Sequence, residues 1–501
     1  MPEVIINKFQ GLSSPYLFGN PATSRYLTNC YSQYGRILGR DGYAVISTAL
    51  TAACVGLGNY SQAAGTAYLM AIDTTNIYSS TGGNFTDISA AFVATGAATD
   101  FGDFTGWATS ATSDDVYMSM RTMKIARWTG TGNVTFQTAP TARCIENFES
   151  YMFAGYAEPS TNGTVANQDA QIIRYTTAPS GTWATTSSTI NINQTPGYIM
   201  RLRKHGRVCY VYKNDGIVAV RFVGGTTVWD VHQVPFGLGM LAVRSLGAVG
   251  NLGHFFLATD GRLYLNAAGN IQPLRDEVNT TLLKNSQNST LSSSIGVVDP
   301  LNSNYLLLYP NSSGTMVRCL KINWVTGEFT DYAYGGATFD NAVYSQALGS
   351  ATNPVGNIFT SFSADKKVYQ IDSGLTDGAT TVVQRSYRTD WQDLGTRQSK
   401  KFRVAILRFK AFALANVAIS IATDLSAEFT NRQVKTLTNI GEDDVEIYYE
   451  PDVTGKIFDL KIEMFPSTLG SDVEIRSIAL YADTISRAEP RAAHTKEQQA
   501  A

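Results

Sequence analysis

Seven short β-type segments recur along this chain at nearly constant intervals, and that period restricts the fold more than any other feature. They are IYSS from Ile77, IARW from Ile125, IIRY from Ile172, VAVR from Val218, LYLN from Leu263, LKIN from Leu320 and VYQI from Val368. Between their second residues (Tyr78, Ala126, Ile173, Ala219, Tyr264, Lys321 and Tyr369) the intervals are 48, 47, 46, 45, 57 and 48 residues. Each follows an apolar strand, such as AYLMAID from Ala67 or YLLLYPN from Tyr305. Six are followed by a glycine-containing turn and a further apolar position (Phe85, Phe136, Trp183, Trp229, Ile271 and Phe329), whereas the seventh breaks off at Gly374. A unit of three or four short strands cannot bury its faces alone. A period in the forties therefore predicts an all-β fold in which such units pack radially, a β-propeller of about seven blades over residues 43–375. The competing fold is a long β-sandwich with fortuitous spacing.

Residues 1–42 lie outside the period. They carry turn signals at Gly11, Ser13-Ser14-Pro15 and Gly19-Asn20-Pro21, with apolar residues between them. The expectation is an extended docking arm on an adjacent domain or subunit, anchored by Phe9, Leu12, Tyr16, Leu17, Phe18, Tyr26 and Leu27. Tyr43 to Thr48 is suited to closing the ring by completing an open sheet. The polar interval RDEVNTTLLKNSQNSTLSSS after Leu274 reads as an exposed loop or short helix. Past Asp377-Gly378 the period disappears, and seven alternating strands from TVVQRSYRT to VEIRSIALYAD predict an antiparallel β-sandwich over residues 376–486. Residues 487–501 read as a flexible tail.

Composition narrows the function. Hydrophobic residues make up 44% and charged residues 16%, so a large core is available, and the net charge of -2 provides no global basic field for nucleic acid. Five scattered cysteines without a C-x-x-C read as reduced thiols. No leader-like or bilayer-length apolar run is visible, so synthesis and folding in a cytoplasm are expected, without a membrane span. The four histidines, His205, His232, His254 and His494, have no ligand spacing, and no nucleophile elbow or phosphate loop is present. Glycine-rich GLGNYSQAAG and FGLGMLAVRSLGAVGNLG are weak as phosphate cradles, and the second reads better as close-packed strands. Adjacent pairs such as Asp114-Asp115 and Asp443-Asp444 cannot flank a glycosidic bond, because neighbours on a strand face opposite ways. Asp215, Asp260 and Asp365 read as turn residues. Sequence thus points to no catalytic, metal or cofactor site and to a protein that is not an enzyme. Two basic clusters remain, Arg201, Arg203, Lys204, His205 and Arg207, and Lys400, Lys401, Arg403, Arg408 and Lys410. They are candidate contacts to DNA phosphate or to an acidic neighbouring subunit, with solvated faces or inter-blade ion pairs as the alternative.

Phe9-x-Gly11-Leu12, Asn29, Gly35, Leu38, Arg40 and Gly42 resemble the opening of tail hub or nozzle proteins of short-tailed bacteriophages, including the packaged-DNA stabilisation family. TDWQDLGTRQSKKFR, with Trp391, Leu394, Gly395 and Lys400-Lys401, is similar to the segment leading into their sandwich domain. The resemblance implies a structural virion component of the phage tail, a homo-oligomeric ring expected as a hexamer, below the portal or adaptor and next to tail fibre or needle proteins. Such a ring retains packaged DNA and conducts it during ejection, touching it only transiently and without sequence preference. A receptor-binding tail protein and a carbohydrate-active propeller enzyme are the alternative functions.

Overall fold

Every residue that defines the sequence period occupies the third strand in a run of four antiparallel strands. The computed structural model describes residues 3–9, 12, 24, 26–33, 35–62, 65–89, 96–110, 113–185, 188–225, 228–346, 356–374, 376–378, 381–394, 396, 398–411, 414–438, 444–466 and 473–485. The chain divides into two units, residues 40–383 and residues 1–39 with 384–501.

In the first unit, each of the first six sets of four strands is a meander. The first sheet runs Cys54–Ser61, Ala67–Asp73, Ile77–Ser80 and Thr86–Asp87. The second and third are joined through one 14-residue strand, Thr135–Phe148, which is the last of one and the first of the next. The fourth, fifth and sixth begin at Ile199–His205, Gly247–Val249 and Ile295–Asp299. The seventh has only Phe339–Ser345, Asn357–Phe362 and Val368–Ile371 in sequence order, and Tyr43–Val45 supplies its fourth strand, pairing Tyr43 with Ile371 and Val45 with Tyr369. The closing strand expected from Tyr43 onward is therefore in place. The first strands of the first and seventh sheets meet through Asn341 Nδ2 donating to the Cys54 carbonyl at 2.9 Å and Ser345 Oγ donating to Asn59 Oδ1 at 2.8 Å. The sheets thus form a closed ring, a β-propeller.

The core lies between neighbouring sheets. Met70, Ile72, Met118 and Trp128 join the first to the second, Phe153, Leu202, Val211 and Trp229 the third to the fourth, and Leu306, Tyr332, Phe339 and Phe362 the sixth to the seventh. Apolar faces covered only by the next sheet explain why the repeats fold as a ring, since each such side chain is worth roughly 1.5–3 kcal/mol when buried. The polar interval after Leu274 is a helix, Asp276–Asn285, followed by a 3-10 turn, and it is not simply exposed. Val278 and Leu282 are buried, and Asn279 Oδ1 accepts the Leu263 amide at 2.8 Å. In the third sheet the outer strand is Thr189–Asn191, so Trp183 does not belong to it; its amide instead donates to the Thr138 carbonyl at 2.9 Å.

In the second unit, the strands expected as a sandwich form two antiparallel sheets with inward-facing apolar residues. Lys400–Ala411 and Val473–Thr484 are central in one, Ala415–Thr423 and Phe458–Pro466 in the other. Phe402 from the first meets Phe458 from the second with ring centroids 5.2 Å apart.

The described parts of residues 1–39 dock on the C-terminal domain, as expected of the arm, but do so as strands of its sheets. Glu3–Ile6 pairs with Val473–Thr484, the hairpin Cys30–Gln33/Arg36–Gly39 adds to the same strand through Ile37 and Leu38, and Leu27–Thr28 pairs with Arg385–Arg388. A segment without a core of its own satisfies its backbone groups on the open edges of sheets made more than 300 residues later. The boundaries accordingly fall at 39/40 and 383/384, not at 42/43 and 375/376: Thr376–Asp377 lies beside Tyr43, and Thr381–Val382 pairs with it. Tyr16, Leu17, Phe18 and residues 487–501 lie outside the described residues.

Candidate functional site

The first strands of six of the seven sheets surround one cavity of about 260 Å³, which marks the axis of the ring. Small residues allow the strands to converge there. A Cβ on Gly247 would lie 2.7 Å from the Tyr305 ring, and one on Gly56 would lie 2.7 Å from the Gly102 carbonyl oxygen. Both close approaches fall in strands, Cys54–Ser61 and Gly247–Val249, but residues 236–246 of the second glycine-rich stretch are mostly coil and a 3-10 turn, Val243–Ser245.

Arg201 and Arg203 occupy this axis, because alternate residues of Ile199–His205 face the same way. Arg203 binds Glu146 Oε2 at 3.0 Å and Asp103 Oδ1 at 3.4 Å; Arg201 lies 3.6 Å from the same Asp103 oxygen and 4.6 Å from the Phe101 ring centroid. Asp103 also accepts the Ile145 amide at 3.2 Å. Burial, with the neighbouring Arg203, pushes the Arg201 guanidinium down to about 10, which leaves it charged at neutral pH. One carboxylate, Asp103, therefore lines the axial cavity, and a second, Glu146, stands beside it, each held by arginine. The expectation that Arg201 and Arg203 offer surface contacts is corrected: they are the inter-blade pairs of the alternative reading. Nothing in the sequence links Arg203 to Asp103 or Glu146, which are 100 and 57 positions away.

The other cations of this cluster lie toward the hairpin end. Lys204 is exposed and donates to the Asn147 carbonyl at 2.9 Å, and Arg207 is exposed in the turn. His254 is buried, its Nδ1 2.9 Å from the Tyr212 hydroxyl and its Nε2 3.1 Å from the Lys204 carbonyl. Burial pushes it down to about 3, so the ring is neutral and Nε2–H donates to the carbonyl. No cluster of metal-ligating residues occurs among the described residues.

The second basic cluster, in the other unit, is neutralised locally. Lys400 is buried and donates to the Gln398 carbonyl at 2.9 Å and to Thr396. Lys401 pairs with Asp452 at 2.7 Å, Arg403 with Asp483, and Arg408 with Glu446 at 2.7 Å. Lys400 is thus corrected from a candidate contact to a buried structural lysine, while Lys401 and Arg403 remain accessible. Of the expected anchors, Phe9 is buried edge-on against Tyr387 at 5.4 Å, and Leu12 and Leu27 are buried. Tyr26 is exposed, with the Arg388 guanidinium 4.1 Å from its ring centroid.

A second cavity, about 320 Å³, opens among the second, third and fourth sheets and is lined by Asp100, Phe101, Arg121, Arg143, Tyr156 and Tyr198. Phe101 lines both cavities. The Arg121 guanidinium lies 5.3 Å from the Tyr156 ring centroid, and that of Arg143 lies 5.1 Å from Tyr198 and 6.0 Å from Tyr156. Sequence reasoning missed this group, whose members come from four strands or turns with no shared motif.

The ring of sheets places the chain among β-propeller proteins. No family model and no curated protein matches it. Among solved structures it is similar to the Neurospora crassa Pan2 WD40 domain at 7% identity, covering 68% of this chain and 97% of that one with a TM-score of 0.39. It is also similar to BBS1N in complex with ARL6, at 9% identity over 67% and 98% of the two chains and a TM-score of 0.42. A Phanerochaete chrysosporium exo-β-1,3-galactanase is similar at 10% identity over 89% and 100%, with a TM-score of 0.26.

Proposed function

We propose that the protein is a structural component of a phage tail, a hub or nozzle subunit that assembles into a ring, retains packaged DNA and conducts it during ejection. One observation carries this reading. The residues that resemble tail hub proteins come from opposite ends of the sequence, yet they fall at a few joints of the fold. Phe9 packs on Tyr387, Asn29 Nδ2 donates to the Gln384 carbonyl at 2.7 Å, and Trp391, Leu394 and Lys400 are buried within the same unit. Arg40 and Gly42 stand where the ring closes: Arg40 makes two hydrogen bonds to Asp377, at 2.7 and 2.6 Å, and a Cβ on Gly42 would lie 1.9 Å from the Thr376 carbonyl oxygen. Residues that share a joint are constrained together, which is what a resemblance split between two ends requires if it reflects one architecture.

On this reading the bore is formed by several copies, since the axial cavity of a single propeller, about 260 Å³ and narrowed by Arg201, Arg203 and Asp103, is too small to pass a DNA duplex. The carbohydrate-active alternative requires a carboxylic acid free to give up a proton beside a second carboxylate. Asp103, which lines the axial cavity, and the neighbouring Glu146 are instead tied to arginine. The test is negative-stain imaging of the purified chain, with surface polysaccharide digestion measured in parallel. Rings with a central bore and no sugar release are expected. Sugar release that a single Asp103→Asn or Glu146→Gln substitution abolishes would replace the hub reading with the enzyme.

A further inference from the structure

The cavity lined by Arg121, Arg143, Tyr156 and Tyr198 has the composition of a binding site that the propeller itself does not use. Elsewhere in this unit, arginines near the axis and the sheet interfaces meet acceptors: Arg127 meets Asp115, Arg318 meets Asp331 at 2.5 Å, and Arg244 donates to the carbonyls of Asp340 and Asp100. Arg121 and Arg143 differ. Among the described residues their guanidiniums meet no carboxylate and donate no hydrogen bond, and are held only against the two tyrosine rings. A guanidinium over a ring face is oriented by the ring while its N–H donors stay available to another partner.

The acid on the wall, Asp100, makes no ion pair with either guanidinium among the described residues; its Oδ2 accepts the Ala97 amide at 2.8 Å. The two tyrosine rings stand 6.2 Å apart at 80°, and Tyr198 is 37% exposed. Tyr156, the ring shared by both guanidiniums, has a φ of 54°, in the left-handed region that disfavours residues other than glycine. Backbone strain of this kind persists where the surroundings hold it, and it collects at ligand-binding positions. A cavity of about 320 Å³ is large enough for a monosaccharide-sized molecule.

We propose that this cavity binds the oxyanion of a monosaccharide-sized acidic ligand, a carboxylate or a phosphate ester. Arg121 and Arg143 hold the anion, and the faces and hydroxyls of Tyr156 and Tyr198 contact the rest. The site belongs to the single chain, so it stands or falls independently of ring assembly. Titration calorimetry on the full-length protein tests it with four probes: glucuronate, glucose 6-phosphate, inorganic phosphate and glucose. At least one of the two acidic sugars is expected to bind about tenfold or more tightly than glucose, and more tightly than inorganic phosphate. Which acidic sugar binds distinguishes carboxylate from phosphate ester. Arg121→Gln and Arg143→Gln should each weaken binding about tenfold or more, the loss expected for a charged hydrogen-bond donor. Arg121 is exposed in a turn, so its variant tests the site even if the Arg143 variant misfolds. Failure of both acidic sugars to bind, equal binding of glucose or inorganic phosphate, or unchanged affinity in a folded Arg121→Gln protein would overturn the proposal.

Discussion

Buried charges give this propeller a stability that depends on pH through individual side chains. Asp340 has a buried Oδ2 with no hydrogen-bond partner among the described residues, and burial, partly opposed by Arg244, pushes its carboxyl up to about 6. Because the folded chain holds this proton more tightly than the unfolded chain, the contribution of Asp340 to stability is full below about pH 4 and is lost as pH rises through 6. Asp340→Asn should therefore raise unfolding free energy at pH 7.5 by about 1–3 kcal/mol and by much less at pH 4.5, as measured by urea denaturation. His254 acts in the opposite sense. Its folded pKa lies below the unfolded value, so its contribution falls as pH drops below about 6.5. At the ring joint, Arg40 and Asp377 are both buried and hydrogen-bonded. Asp377→Ala should cost about 3–5 kcal/mol, because it strands a buried guanidinium; a loss below 1 kcal/mol in urea denaturation would refute that role. At this scale the turn aspartates were legible. Asp260 accepts the Arg262 amide at 3.0 Å and the Tyr264 hydroxyl at 2.8 Å, and Asp365 accepts the Lys367 amide at 3.2 Å. Local hydrogen bonds need only nearby sequence. The axial pairs and the Arg121–Tyr156 group were not legible, because their partners come from different sheets.

At the scale of strands, the period revealed the sheets because each meander pairs neighbours in sequence, as in Tyr305↔Ile322 and Ile322↔Phe329. Pairings across the whole chain left no such trace. Residues 1–42 looked like an arm because their partners stand at Arg385–Arg388 and Val473–Thr484. The closing strand is the exception. The missing fourth position after Gly374 and the spare Tyr43 segment could be matched from sequence. Tyr43 contacts the rings of Tyr334, Phe362 and Tyr369, and its hydroxyl donates to the Gly335 carbonyl at 2.7 Å. Tyr43→Ala should destabilise the propeller by about 3–5 kcal/mol, the cost of removing a buried aromatic ring. Deletion of residues 1–45 goes further, opening the seventh sheet and removing edge strands of the second unit. The shortened protein should aggregate on expression, and recovery of a soluble protein with native circular dichroism would contradict the pairing.

Over the whole molecule, a single propeller offers no passage for DNA, since the cavity on its axis is only about 260 Å³. A role in conducting DNA has to come from assembly. The most direct measurement is sedimentation velocity of the purified full-length protein over a concentration series, read against the 54.3 kDa of one chain. The hub account predicts a discrete species of six chains that grows with concentration at the expense of the monomer. A single monomeric boundary at every concentration, with native circular dichroism, would contradict it.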